Sequence, residues 1–175
     1  FDRWPTGHGF DYFYGFIGGE TSQYEPRLYR NTTPVEPPHD PAYHLTEDLA
    51  ADAIRWLRER QTHAPHDPFF LYWTPGAVHA PHHVFQEWSD KYKGQFDDGW
   101  DAYREKVFAR QKALGFIPAD AEITPRHAGL PAWDSLSEKE RKFQARLMEV
   151  FAGFLEHTDV QAGKLVDELE RQGLR

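Results

Sequence analysis

Pro68-Phe69-Phe70-Leu71-Tyr72-Trp73-Thr74-Pro75-Gly76-Ala77-Val78-His79-Ala80-Pro81-His82-His83 passes from an aromatic run into a loop rich in histidine. Phe69 to Trp73 has the length of a strand and is too short for an independent helix. Pro68 in front and Thr74-Pro75-Gly76 behind punctuate it. An unbroken apolar run of this kind predicts a strand buried on both faces, as in a parallel sheet covered by helices. In open parallel sheets, ligands bind just outside the carboxyl ends of the strands. His79, His82 and His83 follow that end in a loop stiffened by Pro75 and Pro81, so the loop is a candidate for chemistry.

On the N-terminal side, residues 1–41 are rich in Gly, Pro and aromatics and show no sustained period. Thr46 is the expected N-cap of the next helix, with Glu47 and Asp48 in the first turn, where the helix dipole favours negative charge. Leu49, Ala50, Ala53, Ile54 and Leu57 form an apolar stripe at helical spacing. Helix, short loop and buried strand together make one half of a doubly wound α/β sheet. On the C-terminal side, a short helix is expected over residues 85–92 and another from Asp98 or Gly99 to Leu114. Trp100, Tyr103, Val107 and Leu114 should face inward there, and Gly115 should stop the helix. Ser137-Glu138-Lys139-Glu140 reads as a capping box that opens a long helix reaching toward Gln172. Phe143, Leu147, Phe151, Phe154, Leu155, Leu165 and Leu169 are its expected apolar positions.

Thirteen Phe, eight Tyr and six Trp in 175 residues exclude a disordered polymer. A net charge of -8 with no basic stripe argues against a nucleic-acid partner. No apolar run approaches membrane-spanning length. There is no cysteine, which excludes disulfides and thiolate metal sites in these residues; the compartment is left open. His79, His82 and His83 could be read as zinc ligands, but their spacing does not match helical zinc motifs and no fourth ligand is evident. His157 and Asp159 sit at i and i+2, which do not face each other on a helix, so packing is their expected role.

Several segments resemble type I sulfatases, most closely bacterial arylsulfatases. The run from Phe69 to His83 resembles the strand and loop in which that family's "Phe-Leu-Tyr … His-x-Pro" segment ends in an active-site histidine. Gly9-Phe10-Asp11-Tyr12-Phe13-Tyr14-Gly15-Phe16 resembles the segment after the family's Gly-Lys-x-His motif. Tyr43-His44-Leu45-Thr46-Glu47-Asp48 resembles its "Tyr-x-Thr-Asp" helix start, and Gly153-Phe154-Leu155-Glu156-His157-Thr158-Asp159 resembles the long helix before its Asp-Asn-Gly motif.

The resemblance implies an alkaline-phosphatase-like α/β fold, of which residues 1–175 are the central part of one catalytic domain without an internal boundary. It implies hydrolysis of a small-molecule sulfate ester, aryl in the first instance. His79 would act at the leaving group, and His82 and His83 would contact substrate. At these last two positions the common family pattern has Leu-Gln or similar, so their role is the less firmly implied. The family's nucleophile is a formylglycine made within a Cys/Ser-x-Pro-x-Arg motif, and its calcium is held by Asp-Asp and Asp-Asn pairs. The nucleophile motif is not found here, and the only Asp-Asp pair, Asp97-Asp98, reads better as a helix start. Calcium ligands and formylglycine are therefore expected outside these residues, with no metal site within them and with flanking chain needed for folding. Two alternatives stand beside this reading. One is a phosphate or phosphonate monoester hydrolase of the same superfamily, and the other a non-catalytic binding domain.

Overall fold

Backbone pairing in the N-terminal region is local. Asn31 adopts a left-handed φ of 55°, which a tight two-residue turn requires and which Asn tolerates better than most residues. It joins β2 (Leu28–Arg30) to β3 (Thr33–Val35) in register Arg30 to Thr33 and Leu28 to Val35. The Asn31 side chain also accepts from the Phe13 backbone N–H, and its own N–H donates to the Phe13 carbonyl. That lays β1 (Tyr14–Gly15) antiparallel along β2. Pro34 sits on the edge strand, where its missing donor does no harm. A three-stranded antiparallel sheet thus forms where no regular structure was expected, in a computed structural model that describes residues 1–174.

Helix α1 (Leu45–His63) follows. Its cap corrects the expectation for Thr46. The cap lies two residues earlier, and the Nδ1 of His44 accepts from the Thr46 N–H, while Thr46 Oγ1 donates to Gln23 Oε1. Leu49, Ala50, Ala53 and Leu57 are buried as expected. Leu28, Tyr43, Leu45 and Leu49 form the core of this region, with Tyr14, Phe16, Val35 and Trp73 packed against it.

The segment Phe69–Trp73 is extended, and its edges are open. It pairs with no strand among the described residues. Its exposure alternates, with Phe69, Leu71 and Trp73 half-buried and Phe70 and Tyr72 75 % and 68 % exposed. The alternation is that of an extended chain covered on one face only. Phe69 lies edge-on to Trp56 of α1 and under the Arg60 guanidinium, which accounts for the covered face.

By contact density the chain forms two compact units: Phe1–Phe85 with the chain from Phe154 onward, and Gln86–Gly153. The second holds α2 (Gln86–Asp90) and α3 (Gly99–Ala113). Gly99 takes a positive φ and lets the Trp133 ring lie against its Cα, and Asp98 precedes the helix as expected. Tyr103 and Leu114 are exposed rather than inward, because α3 packs through Trp100 on Trp133. Helix α4 (Glu138–Arg171) opens with the expected capping box. The Ser137 N–H donates to Glu140 Oε2 at 2.8 Å, and the Glu140 N–H donates back to Ser137 Oγ. Phe154 and Leu165 are buried, whereas Phe143, Leu147, Phe151 and Leu155 are exposed, so the helix is real but its inward face is narrower than the sequence suggested.

Within the first unit, α1 and α4 are joined by ionic contacts. Arg58 donates to both carboxylate oxygens of buried Glu168, at 3.1 and 2.8 Å, and Arg171 is a further partner. The Arg58 hydrogen bonds, helped by Gln172 and Arg171 against the opposing effect of burial, hold the Glu168 carboxyl down to about 2. A carboxyl depressed in the folded state contributes stability above its unfolded value and loses it as pH falls through the folded value. Stability should therefore decline between about pH 4.5 and about pH 2. Glu168→Gln should flatten that decline in urea titrations of the full-length protein at fixed pH values. An unchanged slope would remove Glu168 from the acid dependence.

Candidate active site

A groove of about 1470 Å³ opens in the first unit. Phe10, Glu20, Gln23, Trp56, Trp73 and His79 are among the residues that line it. Extended residues 69–74 form one wall, and the turn at Ala77 and Val78 ends it. Close packing explains the glycine: a Cβ at Gly76 would come within 2.8 Å of the Gln23 side chain. The His79 N–H donates to the Gly76 carbonyl at 2.9 Å, which curls the loop back on itself.

The His79 side chain is 66 % exposed. Its Nδ1 lies 2.7 Å from the Ala80 carbonyl oxygen. A carbonyl can only accept, so Nδ1 carries the proton and Nε2 is the nitrogen that exchanges one. Glu20 Oε2 is 3.7 Å from Nδ1, and both groups face solvent, which leaves their attraction weak.

The three expected histidines do not act as one cluster. The groove lining takes in His79 and Ala80 and includes neither His82 nor His83. The His83 ring stacks on Tyr24 at 5.0 Å, and its Nδ1 accepts from the Gln23 N–H. The His83 carbonyl accepts from His44 Nε2 at 3.0 Å. His82 is half-buried beside it. His157 is fully buried and meets Glu47 Oε1 at 2.9 Å, in keeping with a packing role. Among the described residues, no group of three or more His, Cys, Asp or Glu could hold a metal ion.

Sequence reasoning missed a polar network that reaches the groove through Tyr12, Tyr14 and Asp52. Asp48 and Asp52 lie one turn apart on α1. Tyr14 and Tyr43 donate to Asp48 at 2.6 and 2.9 Å, and Tyr12 donates to Asp52 at 2.7 Å. Arg30 and Arg55 also hold Asp52. Burial, followed by the neighbouring carboxylates, pushes the three phenols above their ordinary range, so they remain protonated donors. The alternation of Tyr12 and Tyr14 against Asp48 and Asp52 at i and i+4 was the available signal.

Known proteins resemble this chain over nearly all of its length. The description "Sulfatase" matches residues 2–175. An uncharacterized sulfatase of Schizosaccharomyces pombe is 32% identical over 98% of this chain, and an arylsulfatase of Klebsiella aerogenes is 28% identical over 97%. The chain spans 33% and 38% of the length of those two relatives. In three dimensions it is similar to Ps i-CgsB, solved in complex with k-i-k-neocarrahexaose, with a TM-score of 0.58 and 18% identity over 99% of this chain and 31% of that one. That likeness bears on the fold alone. With its family description matched from the second residue to the last, the chain belongs to the sulfatase family.

Proposed function

We propose that this chain is part of a hydrolase of sulfate esters, aryl esters in the first instance, and that it supplies the histidine acting at the leaving group. The observation that carries the reading is the position of His79 on the groove, with Nδ1–H engaged by the Ala80 carbonyl and Nε2 left as the exchanging nitrogen. As the sulfur–oxygen bond breaks, a proton on Nε2 passes to the departing oxygen, which leaves as a neutral alcohol or phenol. Imidazole suits this because its ordinary titration lies near neutrality. His82 and His83 are proposed as weaker contributors that affect substrate binding.

Calcium and a formylglycine nucleophile belong to the same reading, but the described residues offer neither a ligand set nor a cysteine. We place both in other parts of the full-length protein and draw no step through them. Phe69–Trp73 is proposed as a strand of a larger doubly wound sheet to which those parts contribute. The full-length protein should show a higher kcat/KM for 4-nitrophenyl sulfate than for 4-nitrophenyl phosphate. The reverse preference would favour a phosphate or phosphonate monoester hydrolase, and turnover of neither would favour a binding domain.

A further inference from the structure

We propose that His44 is a positioning residue, which fixes the loop bearing His79 by donating from Nε2 to the His83 carbonyl. The ring is buried at the N-terminus of α1, and each of its nitrogens has a separate task. Nδ1 accepts from the Thr46 N–H and caps the helix, at 3.2 Å. Nε2 reaches across 39 residues of sequence to the His83 carbonyl, at 3.0 Å. One acceptor and one donor define a single neutral tautomer.

The surroundings keep the ring neutral. His157 lies 4.3 Å away between ring centroids, and Tyr24, Phe85 and Phe154 complete the aromatic enclosure. Burial comes first in lowering the His44 pKa to about 4, and the His157 ring adds to it. The His83 carbonyl and the Glu47 carboxylate pull the other way. A second proton on Nδ1 would point at the Thr46 N–H and remove the cap. The neutral ring therefore ties the start of a rigid helix to the residue four places after His79. The same loop is held a second time where the Gln23 N–H donates to His83 Nδ1.

The inference rests on the proposed role of His79, and the test separates the two. In the full-length protein, His44→Asn keeps a strong N-cap, since Asn ranks among the best, but is too short to reach His83. It should lower kcat for an aryl sulfate by about 10- to 100-fold, the effect of misplacing a catalytic group by roughly an ångström, with little change in KM, and it should lower Tm because the smaller side chain leaves a void in the aromatic enclosure. In a His79→Ala background it should cost nothing further. Unchanged kcat, or an equal loss in both backgrounds, overturns the proposal. His44→Gln, whose amide can still donate to the His83 carbonyl, should retain kcat; a loss as large as that of His44→Asn also overturns it. If His79→Ala itself leaves kcat intact, the reading of His79 fails. Hydrogen exchange of amides 76–85 then decides the tether alone: faster exchange in His44→Asn supports it, and unchanged exchange overturns it.

Discussion

Replacing His79 by Ala in the full-length protein is expected to lower kcat toward an aryl sulfate by about two to four orders of magnitude, the range typical of a general acid or base. The loss should depend on the leaving group. A nitrophenolate departs readily without a proton, whereas an alkoxide or unactivated phenolate does not. The variant should therefore retain more activity on the nitrophenyl ester. Equal losses on both substrates would mean that His79 binds the sulfate group and does not donate to the departing oxygen. His82→Ala and His83→Ala should cost less, since neither residue lines the groove; a loss confined to KM would show that they contact substrate.

The second expectation concerns residues 1–175 produced alone. Purified in isolation, they should release no sulfate from an aryl sulfate, because covalent catalysis cannot proceed without its nucleophile. Chelator-sensitive turnover by the isolated chain would refute this. The same sample should show helical circular dichroism, since the His44 cap and the Ser137–Glu140 box are local. It should also bind apolar dyes and melt without a sharp transition, because Phe70 and Tyr72 lie open on an unpaired extended segment. A monodisperse monomer with one sharp, reversible melt would count against this and favour an independent binding domain.

What the sequence disclosed follows the range of the interactions involved. The capping box at Ser137, the stripe Leu49–Ala53–Leu57 and the stop at Gly115 are read within a turn or two, and all three appear in the structure. Strand pairing is not local. Phe69–Trp73 looked buried on both faces because its residues are all apolar or aromatic, yet apolarity does not say which face has a neighbour. The hairpin around Asn31 was hidden for another reason: its strands are two and three residues long, too short to show a period.

The site was legible in the same uneven way. His79 stood out because prolines and glycine frame its loop, and it does line the groove. The turn of His83 away from that lining depends on Tyr24, Gln23 and His44, which lie about 40 to 60 positions away. His44 escaped notice as a cap because imidazole is not among the favoured capping side chains, and Thr46 two residues on was the more ordinary choice.

The order in which a ribosome releases these residues gives the split of the first unit a temporal meaning. Phe1–Phe85 leaves first, while Phe154, His157 and Glu168, which enclose His44 and hold Arg58, follow only after residues 86–153. At roughly 5–20 residues per second, that interval is on the order of several seconds. Throughout it, the His44 ring lacks two of its aromatic neighbours, and Arg58 has no Glu168 carboxylate to meet. A nascent chain stalled within residues 86–153 should therefore be the form most readily captured by chaperones that recognise exposed aromatic surface.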